Sequence, residues 1–270
     1  MLGRSIRNVA IIVLALLWLV PTYLLIVNGV ASVKGFTGTA HWLPTSFGFF
    51  DNVGKAWSTA SFGPAMLNSL VYAVVSGGLA VLLAALGAFA VVVMPVRRRT
   101  MWFWVIYAGT LFPLQMFLRP LFSTYANLNL YDTKLGLFIV YTAMCIPFGF
   151  FVVRNYLASV PRDMVEAARI DGAPWWRVFV SIHLPLGRPA MAAAFIFQFV
   201  WVWNDLLFGI TLSFSPGVRP LMAALAGLQG SYSTVGPPVV LAGALIVSLP
   251  TVILFFAFQR LFVSSLRTNI

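Results

Sequence analysis

Long apolar runs alternate with shorter polar segments along the whole chain. Each run is close to the roughly 20 residues that an α-helix needs to cross the hydrocarbon core of a bilayer. The pattern therefore predicts an all-α integral membrane protein with six transmembrane helices, called spans one to six. The predicted spans cover residues 9–28, 66–94, 101–122, 135–153, 191–212 and 239–262.

Span one follows a short basic segment, so a cleaved signal peptide is the alternative to a membrane helix. Gly29 and Ala31 would supply the small residues of a cleavage site. The apolar region of a signal peptide is typically about 7–15 residues long, and this run is longer. We therefore expect an uncleaved first span, in which Pro21 introduces a kink that neighbouring helices tolerate.

The composition supports a membrane environment. Apolar residues make up 61% of the 270 residues and charged residues only 9%, whereas a soluble domain is about 25% charged. The formal net charge is +11, but the basic residues flank apolar runs, which indicates membrane topology rather than binding to nucleic acid. With the N-terminus inside, twelve of the 17 Lys and Arg residues lie on the inner side. The positive-inside rule therefore predicts that both termini are cytoplasmic.

Charge is concentrated in residues 159–189, called the charged segment, which follows span four. Pro161 suits the first turn of a helix, because its missing N–H group would be unpaired there. Asp163 and Glu166 follow at the positive end of the helix dipole. Gly172 can leave helical geometry at low cost, so we expect the helix to end there.

The spacing of this helix places Met164, Ala167 and Ala168 on one face. Such a small face favours docking into a groove on a partner; the alternative is an amphipathic helix that rests on lipid headgroups. A second, apolar helix is predicted to start at Pro174 and to stop at Pro185.

The charged segment resembles the cytoplasmic signature loop of ABC importer permeases. That loop carries Glu-Ala-Ala, a glycine six residues after the Glu, and a later Ile-x-Leu-Pro. The resemblance implies a coupling helix between spans four and five that fits a cleft in an ATPase subunit. The implied coupling residues are Glu166, Ala167, Ala168, Asp171, Gly172, Ile182, Leu184 and Pro185.

Further stretches resemble sugar-importer permeases of the maltose type, and in particular the second, shorter permease of a heterodimeric pair. They are Asn68-Ser69-Leu70, Leu130-Tyr131-Asp132-Thr133 and Trp203-Asn204-Asp205. The match covers residues 62–263. It implies a permease core there, a first helix and outer loop over residues 1–61, and a cytoplasmic tail over residues 264–270, where Ser264 and Ser265 replace a glycine that is frequent in the family.

The resemblance also implies partners and a location. The partners are a second permease subunit, a dimer of nucleotide-binding ATPase subunits that hold ATP and Mg, and an extracytoplasmic substrate-binding protein. The outer loop over residues 213–238, with a short helix near residues 221–228, would approach that binding protein. The implied location is the cytoplasmic membrane of a bacterium or archaeon.

The sequence contains no recognisable motif for nucleotide binding or for a metal site. It has no Gly-x-x-x-x-Gly-Lys-Ser/Thr pattern for nucleotide phosphates. His41 and His183 are far apart, and Cys145 is the single cysteine, so we expect no metal site, no cofactor and no disulfide. The chain is therefore expected not to be an enzyme, and ATP hydrolysis would be done by partner subunits.

Polar residues inside the predicted spans are the candidates for a translocation path. Gln198, Trp201 and Asp205 are predicted to share one helical face that could bind a sugar. The alternative is that Asp205 and Asn204 only join helices by hydrogen bonds. Gln115, next to the proline that breaks span three, is a further candidate. A secondary transporter driven by an ion gradient remains the alternative function, with Asp205 as its one intramembrane acid.

Overall fold

The described residues fold into helices and the connections between them. The computed structural model describes residues 2–44, 46–229 and 235–267, and the side chains of residues 4–44, 46–229 and 235–258. No strand occurs in these ranges. The α-helices are α1 (Leu2–Val30), α2 (Phe49–Thr59), α3 (Phe62–Val92), α4 (Arg99–Tyr107), α5 (Leu118–Asn127), α6 (Lys134–Leu157), α7 (Asp163–Ile170), α8 (Trp175–Val178), α9 (Leu184–Trp203), α10 (Leu207–Leu212), α11 (Leu221–Gly227) and α12 (Pro237–Arg267).

Five helical stretches in the described residues are long and apolar enough to cross a membrane. A sixth candidate consists of two shorter arms. All six overlap with runs that the hydrophobic pattern predicts. Most boundaries differ by a few residues, whereas the fifth candidate begins at Trp175 and not at residue 191. The five continuous candidates are Arg4–Val30, Phe62–Val92, Lys134–Leu157, Trp175–Trp203 and Pro237–Phe258.

The third candidate span is broken, as expected from Pro113. Its arms, Arg99–Thr110 and Leu114–Asn127, meet at an angle of 88°. Proline has no N–H group to donate and disfavours helical geometry for the residue before it, which is Phe112 here. The break places Gln115 in a short 3₁₀ turn, Leu114–Phe117.

The fifth candidate span differs from its prediction at both ends. The helix does not stop at Pro185 but runs from Trp175 to Trp203. A π-helical turn over Phe179–His183 precedes Pro185 and widens the helix where the proline ring would meet the carbonyl group of Ser181. At the other end α9 stops at Trp203, so residues 207–212 form the separate helix α10.

The described residues divide into two compact units. The first lies within Met1–Pro64 and Ala224–Ile253. In it the Asn52 side chain donates to the carbonyl oxygens of Gly29 (3.1 Å) and Ala31 (2.8 Å), which satisfies the end of α1. Residues 4–19 of α1 are exposed.

The second unit lies within Ala65–Ala223 and Leu254–Ile270, and its centre is the contact of α3, α6 and α9. Small residues let these helices approach closely. A Cβ atom on Gly149 of α6 would lie 3.2 Å from the Cβ of Ala84 on α3. Gly77 of α3 leaves room in the same way for Phe195 and Gln198 of α9.

Candidate functional site: the α7 turn, the buried Asp205 and the anchored loop

The helix α7 at the start of the charged segment has the predicted polarity. Asp163 and Glu166 lie in its first turn, and Arg169 lies in its last turn. The acidic side chains therefore lie at the positive end of the helix dipole and the basic side chain at its negative end, and both interactions are favourable. The helix begins at Asp163 and not at Pro161, and Arg162 occupies the flanking N-cap position.

Gly172 ends α7 through a specific backbone motif. Its φ angle is +79°, a left-handed conformation that side chains disfavour. Its N–H donates to the Arg169 carbonyl (3.1 Å), and the Ala173 N–H donates to the Ala168 carbonyl (2.9 Å). These two bonds are those of a Schellman motif, which satisfies carbonyl groups at a helix end. The predicted glycine break is confirmed, and its geometry is fixed by two hydrogen bonds.

The side chains that follow hold this turn in place. Arg169 donates to the Ala173 carbonyl (2.6 Å), and its guanidinium lies 4.3 Å from the centre of the Trp175 ring. Ala173 and Trp175 also pack against a buried apolar cluster of the second unit. The turn and the start of the next helix therefore form one packed element.

The helix α7 has an outer and an inner face. Met164 and Ala167 are exposed, and Ile170 is 85% exposed. Val165 and Ala168 instead pack against the apolar cluster. The prediction that Ala168 shares the outward small face is therefore wrong, because its side chain packs α7 against this cluster.

The remaining residues of the signature pattern divide between surface and interior. Ile182 and Leu184 are half-buried and pack against the same apolar cluster as Ala168. The side chains of Glu166 and Asp171 are exposed, and so are Gly172 and Pro185. The structure thus packs one part of the pattern against the cluster and leaves the other part exposed.

The candidate path residues do not share one surface. Asp205 is buried beyond the end of α9, so the predicted common helical face with Gln198 and Trp201 is wrong. Gln198 is also buried, and its amide donates to the Cys145 carbonyl of α6 (2.8 Å). Trp201 is half-buried.

The other two path candidates are exposed. Asn204 donates to the Val200 carbonyl of its own helix (2.8 Å), and Gln115 lies in the bend between the arms of the broken span. Their exposure suits contact with a solute or a partner, whereas the contacts of Gln198 join two helices.

The carboxylate of Asp205 is satisfied by groups of two elements. It accepts hydrogen bonds from the Tyr141 hydroxyl (2.9 Å), the Gly209 N–H (3.0 Å) and the Phe208 N–H (3.5 Å). The two N–H groups belong to the first turn of α10, where such groups have no helical partner. Tyr141 could not be found from the sequence, because it is one aromatic residue within an apolar run.

A second polar network surrounds residues 213–221, called the anchored loop. The Asp132 carboxylate accepts hydrogen bonds from the N–H groups of Phe214 (2.8 Å) and Ser215 (2.9 Å) and from the Ser215 hydroxyl. Partial burial tends to raise the pKa of Asp132, but the Ser215 bonds and the Arg219 charge outweigh it, so this pKa lies below its ordinary value.

Side chains of α3 hold the other end of the anchored loop. Asn68 donates to the Arg219 carbonyl (3.2 Å), and Ser69 accepts from the Leu221 N–H (2.7 Å). Asn68 and Asp132 belong to two of the stretches that carried the family resemblance. The structure supplies a shared reason for them, since both hold the same loop. The short helix predicted after it is confirmed as α11, whereas residues 230–234 of the outer loop lie outside the described residues.

Comparison with known proteins identifies the family. Residues 78–268 match the family described as binding-protein-dependent transport system inner membrane component. The chain belongs to this family of membrane permeases.

Two relatives illustrate the range of similarity. The osmoprotective compounds uptake permease protein GgtD of Synechocystis sp. is 32% identical over 95% of this chain and 88% of its own length. The alpha-glucoside transport system permease protein AglG of Rhizobium meliloti is 37% identical over 80% of this chain and 58% of its own length. Among solved structures, a chain of a bacterial ABC transporter that imports alginate covers 96% of both chains with a TM-score of 0.76 at 24% identity, which shows the shared fold.

Proposed function

We propose that this chain is one of two permease subunits in an ATP-driven importer for sugars or related solutes. Family membership supports the role in binding-protein-dependent transport. The names of the relatives support a carbohydrate or a compatible solute as the class of substrate. The single observation that carries the ATP-driven mechanism is the shape of α7, which is packed on one face and open on the other.

The proposed topology has six spans with cytoplasmic termini. The broken pair of α4 and α5 then counts as span three, and the charged segment lies on the cytoplasmic side. The excess of Lys and Arg on that side supports this orientation. The exposed residues 4–19 of α1 would meet lipid or the second permease.

Coupling would pass through α7 as a rigid lever. ATP-driven closure of the ATPase subunits would move the exposed face with Met164, Ala167 and Ile170. The Schellman turn and the Arg169–Trp175 contact join α7 to the next helix. A displacement of α7 would therefore be transmitted to α9 almost in full. Differential contact of the ATPase with the two states is what would couple hydrolysis to transport.

On the opposite side, the anchored loop would meet the substrate-binding protein. Its hydrogen bonds to Asp132 and to Asn68 give it one conformation before binding, which lowers the entropy cost of association. Phe214 is 70% exposed on this loop and would be available for contact.

The test is uptake by a reconstituted complex. The chain would be co-expressed with its second permease and ATPase subunits and placed in proteoliposomes together with the binding protein. We expect uptake of radiolabelled sugar only with ATP and with the loaded binding protein. Uptake that persists without ATP and stops when an ionophore dissipates the ion gradient would instead establish a secondary transporter.

A further inference from the structure

A cavity of about 430 Å³ lies behind α7, where α3 and α6 end and α4 begins. It belongs to the second unit throughout. Four arginines, the carboxylate of Glu166, the imidazole of His183 and the hydroxyl of Thr100 line it together with apolar side chains. The arginines are Arg99, Arg154, Arg162 and Arg169.

The guanidinium groups of Arg154 and Arg169 contact neutral partners. Arg154 donates to the Asn155 side chain (3.1 Å) and lies 4.9 Å from the centre of the Phe103 ring. Its buried Nε atom has no hydrogen-bond partner among the described residues. Arg169 donates to a backbone carbonyl. An unpaired donor in a buried position costs free energy, so an acceptor in the cavity would stabilise this arrangement.

The spacing along α7 separates the cavity from the docking face. Residues 162, 165, 166 and 169 line the cavity and follow the i, i+3, i+4, i+7 pattern of one helical face. Met164 and Ile170 lie on the exposed outer face instead. A ligand in the cavity would therefore bridge α7 to α4 and α6 without blocking the outer face.

We propose that this cavity binds a phosphate-bearing anion. Guanidinium groups form paired hydrogen bonds with phosphate oxygens. Val91, Val92 and Leu157 supply an apolar wall, which suits an ester group next to the phosphate. Two sources share this chemistry, the headgroup of an anionic lipid and free phosphate. The position at the ends of two candidate spans suits a headgroup.

Bound phosphate would tie Arg169 of α7 and the flanking Arg162 to Arg154 of α6 and Arg99 of α4. The bridge would stiffen the lever between the ATPase docking face and the spans, a consequence that rests on the proposed function. Binding itself does not depend on that function, so the two can fail separately.

The test measures binding to the purified complex in neutral detergent. Phosphatidylglycerol is compared with phosphatidylcholine, and sodium phosphate is compared with sodium chloride at equal ionic strength. Native mass spectrometry counts retained lipid, and thermal unfolding reports stabilisation. The variant is Arg99→Gln/Arg154→Gln. The matched control is Arg97→Gln, an exposed arginine of the preceding loop that does not line the cavity.

We expect phosphatidylglycerol to bind the wild type and the control about equally and the double variant about tenfold more weakly, as expected when charge-assisted hydrogen bonds are lost. Stabilisation by sodium phosphate with the same dependence on the variants would identify free phosphate as the source. The single Arg99→Gln variant gives the same comparison if the double variant does not fold. Absence of both effects, or an equal loss in Arg97→Gln, would overturn the proposal.

Discussion

The Tyr141 hydroxyl of α6 donates a 2.9 Å hydrogen bond to the Asp205 carboxylate in the connection between α9 and α10. The same carboxylate accepts from the Gly209 N–H in the first turn of α10. One acidic side chain therefore joins two helices and satisfies a helix terminus. These contacts explain how an acid can remain buried in a membrane protein.

Replacement of Asp205 should affect the stability of the protein more than its transport activity. In Asp205→Leu the Tyr141 hydroxyl and two N–H groups lose their acceptor, at a cost of about 3 kcal/mol or more. Asp205→Asn keeps a carbonyl oxygen and should be milder. Folded yield and thermal unfolding in detergent, together with uptake, measure the difference.

The matched control for this experiment is Asn204→Leu. Asn204 is the exposed neighbour of Asp205, and its amide donates to a carbonyl of its own helix. The stability of the Asn204→Leu variant should stay within about 0.5 kcal/mol of the wild type. Normal yield with lost uptake in Asp205→Leu would contradict the structural role and favour a place on the translocation path.

Gly136 and Gly78 should respond in opposite ways to alanine. A Cβ atom on Gly136 would lie 2.4 Å from the Leu130 carbonyl oxygen, whereas one on Gly78 would meet nothing within 4 Å. Gly136→Ala should therefore destabilise the protein by about 1–3 kcal/mol. Gly78→Ala should be neutral or stabilise it by up to about 1 kcal/mol, since alanine favours the helix.

Thermal unfolding of both variants in the same detergent measures this contrast. Equal stability of Gly136→Ala and the wild type would mean that the turn before α6 can move aside at no cost. The tight contact at Leu130 would then not constrain the start of this helix.

Loss of the Asp132 charge should loosen the anchored loop. In Asp132→Asn the N–H groups of Phe214 and Ser215 lose a charged acceptor, so their hydrogen exchange at pH 7 should be about tenfold faster. Asp51→Asn, an exposed acid in the first turn of α2, is the control and should leave this exchange unchanged.

The pKa of Asp132 fixes the pH dependence of the same loop. Because this pKa is lowered in the folded protein, the stabilisation is present above the ordinary carboxyl pKa of about 3.9. It is lost as the pH falls through the folded pKa. Protection corrected for intrinsic rates should therefore be equal at pH 7 and pH 5. A loss of protection between pH 7 and pH 5 would show that a group other than Asp132 controls the loop.

Two substitutions in the α7 turn should uncouple ATP hydrolysis from transport while sparing membrane insertion. Ala167→Trp places a bulky side chain on the exposed face and would hold α7 out of its cleft. Gly172→Val must adopt a φ of +79°, at a cost of about 1–3 kcal/mol for a β-branched residue. We expect normal membrane levels, low uptake, and ATPase subunits that dissociate or ignore the binding protein.

Matched controls exist for both changes. Ser159→Trp alters an exposed residue of the same segment outside α7, and Gly172→Asn tolerates the left-handed conformation better than valine. Both should retain coupling. Intact uptake, subunit co-purification and stimulated ATPase activity in Ala167→Trp and Gly172→Val would refute the docking role and favour a helix that rests on lipid headgroups.

Labelling of single cysteines should reveal the proposed orientation. In a Cys145→Ala background, cysteines at positions 98 and 166 should be protected from an impermeant reagent in intact cells. Cysteines at position 55 and at Gly217, where a side chain has open space, should be labelled. Labelling at position 166 from outside would reverse the topology and separate α7 from any cytoplasmic ATPase.

The sequence alone determined the class of this protein, its candidate spans and the break after α7. Hydrophobic length identifies candidate membrane helices, because about 20 apolar residues in a helix match the thickness of the hydrocarbon core and a helix satisfies its own backbone groups there. The glycine at position 172 predicts the end of α7 in the same local way. The break at Pro113 is also local, since proline removes a donor and restricts its neighbour.

Only the tertiary structure decided which polar residues meet. The partnership of Tyr141 with Asp205 spans 64 positions, and that of Asp132 with Ser215 spans 83. Neither carries a periodic signal, because each depends on how separate helices pack. The same reason explains the error at Ala168, because packing against the apolar cluster of the second unit turns its side chain inwards. The error at Pro185 has a local cause, since a π-helical turn directly before the proline carries the helix through it. A contact between residues that are distant in sequence is not specified by a local pattern.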